Sequence, residues 1–180
     1  MTHDFIIYGN GLSSKLLALA LSKNNFKSLI IADQKPKTKD SNLVTFLSEG
    51  SLKYISKVLE TENIFPESEH IEKLDCEHWV SKKETKLEFE NPNKSMLGKI
   101  VPNVKIDEIF NNKIFSNSKH IHISDHCEIT PKIDGNKITI TDKSGEKKSA
   151  ALLFYAASSR EHDLLNIFEL FEKKIIKSSN

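Results

Sequence analysis

The chain of 180 residues has the length of one domain, with 38% hydrophobic and 28% charged residues. This composition is typical of a soluble globular protein and excludes a wholly disordered chain. The 26 basic and 25 acidic residues leave a net charge of +1, which excludes a strongly basic nucleic-acid-binding protein and an acidic tail protein. Because Arg160 is the only arginine, an anion site must use lysines, backbone N–H groups or helix N-termini.

The two cysteines and the absence of long apolar runs bear on where the protein resides. Cys76 and Cys127 are too far apart for a Cys-x-x-Cys motif, so a reduced setting is expected. No apolar run approaches the roughly 18 residues of a transmembrane helix. Residues 1–4 lack the basic residues that begin a signal peptide. We therefore predict a cytoplasmic protein.

The first thirty residues predict a β-α-β unit. Phe5–Tyr8 is a continuous apolar run bounded by glycine, which is typical of a buried parallel strand. Leucine and alanine then recur at helical spacing from about residue 12 to residue 23. Lys27–Ala32 is a second apolar strand, and a right-handed crossover makes the two strands parallel.

A glycine motif separates the first strand from the first helix. Gly9-x-Gly11-x-x-Ser14 follows the strand and opens the helix, with a serine in place of a third glycine. Asp33 ends the second strand, where an acidic residue can accept hydrogen bonds from a ribose. The alternative is that the glycines only turn the chain and Asp33 only ends a strand. The coincidence of these features favours dinucleotide binding, with the phosphates at the helix N-terminus.

The middle of the chain mixes helices and short strands. Residues 34–42 predict a loop, and a helix is predicted from Ser48 to Leu59. Strand-like runs follow at 71–80 and 85–89. Asn103 is predicted to cap a further helix, which carries the apolar stripe Ile106, Ile109, Phe110 and Ile114.

The last third predicts strands followed by a helix. His120–Ile123 is a short strand-like run. The runs 126–133, 137–142 and 149–155 are separated by Asp-Gly and Ser-Gly and predict a β-meander. The segment 163–176 predicts a helix with the apolar stripe Leu164, Ile167, Phe168, Phe171 and Ile175.

Two clusters of reactive side chains admit a chemical and a structural interpretation. The first cluster consists of His120, His122, His126 and Cys127. A metal site is its minor interpretation, because exposed strand histidines are common and no second Cys/His pair has the spacing of a zinc finger. A nucleophilic site is the minor interpretation of the second, which consists of His70, Asp75, Cys76 and His78. There we favour a half-buried strand with Cys76 and Trp79 packed. No metal site is predicted, and no catalytic residue is assigned.

The strands placed between the β-α-β unit and the meander resemble the FAD domain of flavoprotein aromatic hydroxylases, into which a substrate-binding sheet is inserted. The segments are most similar to the branch that hydroxylates polyprenyl phenols in ubiquinone biosynthesis. The similarity spans nearly the whole chain. It is carried by DFIIYGNGLSSKLLALALSKNNFKSLIIAD (Asp4–Asp33), TFLSEGS (Thr45–Ser51), Ile71–Val80, LGKIVPN (Leu97–Asn103) and LLFYAAS (Leu152–Ser158).

This resemblance implies an α/β, Rossmann-like FAD-binding domain with a parallel sheet and a β-meander crossover. The whole chain, 1–180, would be a single domain, with 67–100 as a partial substrate-sheet insertion. The cofactor would be FAD and the reductant NAD(P)H. The candidate cofactor-binding residues are Gly9, Asn10, Gly11, Leu12, Ser13, Ser14, Asp33, Gln34, Asn42, Asn103 and Ala157.

The chain also departs from the family pattern. Asn42 stands where the family has a flavin-contacting arginine, and Ala157-Ser158 replace an Asp-Gly pair. The later Gly-Asp motif and most of the substrate sheet are missing, so we expect a truncated chain.

The resemblance implies a phenolic or quinone-precursor substrate and no nucleic-acid partner. Association with the inner membrane surface or with a ubiquinone-biosynthesis complex would also fit. Two alternatives stay open. One is a non-catalytic remnant or accessory nucleotide-binding module that acts through protein contacts. The other, an NAD-binding module, is less favoured because of the inserted strands.

Overall fold

The structure is a computed structural model that describes residues 2–32, 43–80, 83–91, 96–124, 130–141 and 145–156. The chain forms two compact units, one of residues 1–37 with 113–180 and the other of residues 38–112. The segment 67–100 lies within the second unit, and its role as a substrate-sheet insertion stays a prediction. None of the helices in the described ranges has the length and apolar character needed to cross a membrane. The predicted loop at 34–42 and the predicted helix at 163–176 lie outside the described residues.

The elements are, in chain order, β1 (Phe5–Tyr8), α1 (Leu12–Ser22), β2 (Ser28–Ile31), β3 (Val44–Ser48), α2 (Glu49–Leu59), β4 (Glu69–Ile71), β5 (Lys73–Val80), β6 (Lys83–Glu90), β7 (Gly98–Pro102), α3 (Asn103–Ser116), β8 (Ile121–Ser124), β9 (Thr130–Asp134), β10 (Lys137–Thr141), β11 (Lys147–Ala150) and β12 (Leu152–Tyr155). The predicted β-α-β unit is confirmed, as are the helices near 48–59 and after residue 103.

A four-stranded parallel sheet in the order β12-β1-β2-β8 forms the centre of the first unit. Its two central strands are buried on both faces, and Ile6, Ile7, Ile30 and Ile31 are fully inaccessible to solvent. Burying side chains of this size contributes about 1.5–3 kcal/mol each. The continuous apolar runs therefore mark sheet strands that are covered on both sides.

Helix α1 packs against this sheet through small residues. It contacts β1, β2 and β8. Its buried residues are Ser14, Lys15, Ala18, Leu19 and Ser22. Of the leucines that predicted the helix, only Leu19 is buried, and Leu16 and Leu17 stay partly exposed. Small side chains at four-residue intervals allow the helix to approach the strands closely.

The predicted meander is corrected at its third strand. Strands β9, β10 and β11 form an antiparallel sheet. Ile140 and Ala150 from this sheet join Ile6 and Leu29 in one buried cluster. The run predicted at 149–155, however, is two strands, because after Ala150 the chain leaves β11 and pairs with β1 as β12. The change occurs at Ala151, whose N–H donates to the carbonyl of Asp4 at 3.1 Å.

The second unit contains an antiparallel sheet in the order β3-β7-β4, which the sequence did not predict. Helix α2 contacts both β3 and β7. Ser48 caps α2 by accepting a hydrogen bond from the Ser51 N–H at 3.2 Å. The buried Lys99 donates from its Nζ to the carbonyl of Phe65 at 2.8 Å, so its charged end is hydrogen-bonded inside the unit. The apolar core of the unit consists of Ile55, Leu59, Phe65, Val101, Ile106 and Phe110.

Strands β5 and β6 form a separate two-stranded ribbon, which has one mainly apolar face and one charged face. The cross-strand pairs Leu74–Phe89 and Cys76–Leu87 share one face, since directly opposed residues point the same way. The other face carries ion pairs of 3.3–3.4 Å, namely Lys73–Asp75, Lys73–Glu88 and Lys86–Glu77. The expectation of a packed Cys76 is wrong, because the residue is exposed and its thiol is free. The side chain of Trp79 lies outside the described residues.

The rings of His3 and His122 contact each other within the first unit. Their rings lie edge to face with centroids 5.3 Å apart. His3 is buried, and its backbone N–H donates to the carbonyl of Ser149 at 3.1 Å. Burial lowers the pKa of His3 below its ordinary value, and the charges of His122, the amino terminus and Lys148 lower it further, against a smaller opposing effect of Asp4.

Replacing Gly98 by alanine should destabilise the protein. A Cβ there would lie 2.8 Å from the ring carbons of Phe46 and closer still to the backbone oxygen of Leu47. We expect Gly98→Ala to lower the free energy of unfolding by about 2 kcal/mol or more, measured by urea denaturation. Gly50→Ala is the control, because its Cβ would meet only Ser48 Oγ at 3.9 Å. That exposed helical position should gain roughly 0.5–1 kcal/mol. Equal effects at both positions would contradict the packing described for Gly98.

The lowered pKa of His3 predicts a loss of stability in mild acid. Between its folded pKa and the unfolded value of 6.5, the unfolded chain binds more protons than the folded one. The free energy of unfolding should therefore fall as the pH decreases below about 6.5. The free energy of unfolding, measured by urea denaturation, should differ less between pH 7.5 and pH 5.5 in His3→Leu than in the wild-type protein. His70→Leu, at an exposed strand position, should keep the wild-type difference. If the difference in unfolding free energy between the two pH values were unchanged in His3→Leu, the pH dependence could not arise from His3.

Candidate dinucleotide-binding site

The order of the parallel strands marks where a ligand can bind. From β1 the chain builds outward through β2 to β8, and it later returns to the other side of β1 as β12. In open α/β sheets, ligands bind outside the carboxyl ends of the strands at the point where the order reverses. Here that point lies between β1 and β12. The N–H of Ala156 donates to the carbonyl of Tyr8 at 2.8 Å and holds the two strand ends together.

The two glycines after β1 have different physical roles. Gly9 has a φ of 122°, a backbone conformation that side-chain-bearing residues rarely adopt. Its N–H donates to the carbonyl of Ile31 at 2.8 Å, so the turn is bonded to β2. Gly11 has an ordinary φ of −77°, but a Cβ added there would meet nothing within 4 Å. Gly9 therefore serves the turn, whereas Gly11 leaves open space beside the backbone.

The first turn of α1 offers backbone donors that have no acceptor within the helix. Gly11 is the N-cap, and the N–H of Lys15 donates to its carbonyl at 3.1 Å. The N–H groups of Leu12, Ser13 and Ser14 thus precede the first intrahelical bond and have no partner within the helix. The first turn contains no acidic residue that would offset the positive end of the helix dipole. These donors suit an anion.

Two polar side-chain atoms at this loop are buried without a hydrogen-bond partner among the described residues. They are Asn10 Oδ1 and Ser14 Oγ. Ser14, which stands in place of the third glycine, is fully buried on the face of α1 toward the sheet. Buried polar atoms in folded proteins are nearly always hydrogen-bonded, so each unpaired atom marks a candidate ligand-contacting or strained position.

The residues at this loop fit the diphosphate of a dinucleotide. Open space lies beside Gly11, three backbone donors begin α1, and the site is at the reversal of strand order. The structure thus brings together the predicted residues Gly9, Asn10, Gly11, Leu12, Ser13 and Ser14. Four other predicted residues, Asp33, Gln34, Asn42 and Ala157, lie outside the described residues, so their contacts to a ribose or a flavin stay predictions.

Asn103, the remaining candidate, belongs to the second unit. It is the first residue of α3. Its Oδ1 accepts a hydrogen bond from Thr45 Oγ1 at 2.6 Å, and its N–H donates to the carbonyl of Leu43 at 2.9 Å. The sequence did not identify Thr45 as the partner of Asn103, because no sequence pattern indicated that β3 pairs with β7. The contact fixes how α3 begins, and a role of Asn103 toward a flavin stays a prediction.

Only parts of the two clusters of reactive side chains lie within the described residues. Within the described ranges, no three His, Cys, Asp or Glu residues are grouped as a metal site would require. His126 and Cys127 lie outside those ranges. Asp75 and Cys76 are consecutive residues of β5, so they point to opposite faces of the ribbon. Asp75 is moreover paired with Lys73 at 3.3 Å.

No protein-family model matches the sequence, and no curated protein matches it. Solved structures do match the fold. The flavin-dependent monooxygenase PieE in complex with FAD and substrate has a TM-score of 0.68 at 13% identity, over 93% of this chain and 32% of PieE. The p-nitrophenol 4-monooxygenase PnpA from Pseudomonas putida DLL-E4 has a TM-score of 0.67 at 10% identity, over 89% of this chain and 42% of PnpA. The Diels-Alderase PyrE3 has a TM-score of 0.61 at 14% identity, over 84% of this chain and 32% of PyrE3.

These matches confirm the predicted fold class. The chain is an α/β protein whose parallel sheet, meander and additional small sheets match the fold of flavin-dependent monooxygenases. At 10–14% identity the likeness concerns the fold alone. The chain spans 32–42% of the length of these three proteins.

Proposed function

We propose that the chain binds the ADP part of FAD at the β1–α1 loop and is the FAD-binding part of a flavin-dependent monooxygenase. The observation that carries this proposal is the first turn of α1, whose N–H groups have no acceptor within the helix, with open space beside Gly11 at the reversal of strand order. With one arginine in the chain, an anion site depends on lysines, backbone donors or a helix N-terminus, and the loop offers the last two. The fold shared with a monooxygenase that was solved with FAD supports the choice of ligand.

The residues of the chain would bind and orient the cofactor. The N–H groups of Leu12 and Ser13 would hold the diphosphate, and Gly11 would let it approach the backbone. Asp33, with Gln34 beside it in the sequence, would bind the ribose of the adenosine. Bound FAD supplies the redox chemistry, which is electron transfer from NAD(P)H and the use of O₂.

The proposed substrate is a phenol, and more narrowly a polyprenyl phenol of ubiquinone biosynthesis. This choice rests on the sequence resemblance of segments such as Leu97–Asn103 and Thr45–Ser51 to that branch of the hydroxylases. NAD(P)H would be the reductant, by the same resemblance. A cytoplasmic location, with association at the inner membrane surface, would bring the protein to such a substrate.

A second candidate function is an accessory nucleotide-binding module that acts through protein contacts. The exposed apolar face of the β5–β6 ribbon favours it, since Leu87 and Phe89 are 54% and 49% exposed. A two-stranded ribbon is only marginally stable by itself, so a partner that covers this face would stabilise it. In this role the chain would keep the phosphate loop without carrying out oxidation.

Reconstitution with FAD separates the two functions. The purified protein is mixed with FAD, freed of excess cofactor and examined for flavin absorption and for NAD(P)H-dependent O₂ consumption with a phenolic substrate. Retained flavin together with O₂ consumption supports the monooxygenase. Retained flavin without O₂ consumption supports FAD binding by this chain, because catalysis would also need the parts of a monooxygenase that the chain does not span. Protein that binds neither FAD nor ADP contradicts both proposals.

Alanine substitutions at the two glycines should separate folding from ligand binding. Gly11→Ala should change the free energy of unfolding by less than about 1 kcal/mol, because its φ is ordinary and the Cβ meets open space. It should nevertheless weaken ADP binding by roughly tenfold or more, since the methyl group occupies the space of the diphosphate. Gly9→Ala should cost about 1–3 kcal/mol of stability through its φ of 122°.

Isothermal titration with ADP and urea denaturation of both variants provide the measurements. If Gly11→Ala bound ADP as tightly as the wild-type protein, the diphosphate could not lie beside Gly11.

A further inference from the structure

Strand β12 has one covered face and one open face among the described residues. Leu153 and Tyr155 pack against the buried cluster to which the meander contributes. Leu152 and Phe154 alternate with them and therefore point to the opposite face of the sheet. There they keep 53% and 36% of their surface exposed, whereas α1 contacts the neighbouring strands β1, β2 and β8. Parallel sheets are normally covered on both faces, so this face of β12 needs a further cover.

Two aromatic side chains extend the open face of β12. Phe5 of β1 is in register with Leu152, so the two residues lie on the same side of the sheet. The ring of Phe5 contacts the rings of Phe154 and Phe26, with centroid distances of 5.7 Å and 5.2 Å. Phe26 is itself 42% exposed. We call Phe5, Phe26, Leu152 and Phe154 the β12 patch. A contiguous exposed group of this kind marks a contact surface.

The sequence that follows β12 contains a segment suited to such a surface. The described residues end at Ala156, whose N–H donates to the carbonyl of Tyr8 at 2.8 Å, so the rest of the chain starts at the carboxyl end of β12. The segment 163–176, which lies outside the described residues, was predicted from the sequence as an amphipathic helix. Its apolar stripe consists of Leu164, Ile167, Phe168, Phe171 and Ile175. At helical spacing, Asn166 and Lys173 fall on the opposite side.

The distances allow this segment to reach the β12 patch. Residues 157–162 can span up to about 20 Å, which is enough to reverse the direction of the chain after β12. A helix over 163–176 would be about 21 Å long, and a strand of the length of β12 spans about 13 Å. The short connection also gives the segment an effective concentration in the millimolar range at the patch. A separate partner would have to compete with that concentration.

We propose that residues 163–176 form an amphipathic helix that docks through its apolar stripe on the β12 patch of the same chain. The helix would run antiparallel to β12 and lie beside α1, so that the second face of the parallel sheet is covered along all four strands. The occupant of the patch is thus the C-terminal segment of this chain. The inference goes beyond the proposed function and does not depend on dinucleotide binding.

Hydrogen–deuterium exchange of the full-length protein, followed by mass spectrometry, tests the docking. Amides of 163–176 should exchange at least tenfold more slowly than in an unstructured peptide of the same sequence. Phe154→Asp places a charge in the β12 patch and should raise the exchange of the segment to the unstructured rate. Leu87→Asp is the matched control, since Leu87 is also exposed but belongs to the β5–β6 ribbon in the second unit. It should leave the segment protected.

A second pair of variants changes the segment itself. Phe171→Asp places a carboxylate on the apolar stripe and should abolish the protection of 163–176. Asn166→Asp introduces the same charge on the polar side of the helix and should keep the protection. Exchange within β1 and β2 should stay slow in all four variants, which distinguishes loss of docking from unfolding. If Phe154→Asp does not fold, Phe171→Asp still decides the question.

Loss of protection in Phe154→Asp and Phe171→Asp, with protection kept in both controls, supports the proposal. Rapid exchange of 163–176 in the wild-type protein overturns it, as does protection that persists in both of these variants or is lost equally in the controls. Protection that appears only at concentrations where sedimentation shows a dimer overturns docking within one chain and assigns the patch to a second copy. None of these results depends on ADP or FAD, so the proposed function is tested separately.

Discussion

Strand β1 is hydrogen-bonded along both edges and buried on both faces, and the chain must leave it and begin α1 within three residues. The left-handed backbone at Gly9 makes this possible. A turn this short fixes the N-terminus of α1 directly at the carboxyl end of β1. The placement of the helix dipole, of the backbone donors and of Asn10 therefore depends on that one backbone conformation.

Close packing of α1 on the sheet is the second consequence of the short turn. The buried face of the helix consists mainly of small or polar residues, and larger apolar side chains such as Leu16 and Leu17 stay partly exposed. This arrangement leaves Ser14 Oγ buried on the face of α1 toward the sheet, without a hydrogen-bond partner among the described residues.

The β-α-β unit was predictable from the sequence because each signal was local. Phe5–Tyr8 is continuous and apolar, and the glycines after it are separated by one residue. The sheet β3-β7-β4 was not predictable in the same way. Val44–Ser48 adjoins a helix without a break, and Gly98–Pro102 contains both a glycine and a proline, which weaken a strand pattern. Its strands are distant in the sequence, since Val44 pairs with Pro102 and Glu69 pairs with Ile100.

Other differences between prediction and structure also arise from tertiary contacts that local sequence patterns do not report. Ala150 and Leu152 belong to two sheets, yet no turn residue lies between them. The burial of Cys76 was expected from its residue type, whereas its exposure depends on what covers the ribbon. The unpaired oxygen of Asn10 is a property of the folded loop, and a sequence motif does not report it. Local patterns thus located the candidate site, and only the tertiary structure showed which of its groups are free to bind.

The loop from Gly9 to Ser14 is proposed to bind the diphosphate of a dinucleotide. Amide chemical shifts from ¹H–¹⁵N NMR during a titration with ADP test this binding, because they report the backbone donors one residue at a time. We expect saturable shifts concentrated at the amides of Asn10 to Ser14, with smaller changes at Ala156. Shifts confined to other parts of the chain, or no shifts at millimolar ADP, would contradict it.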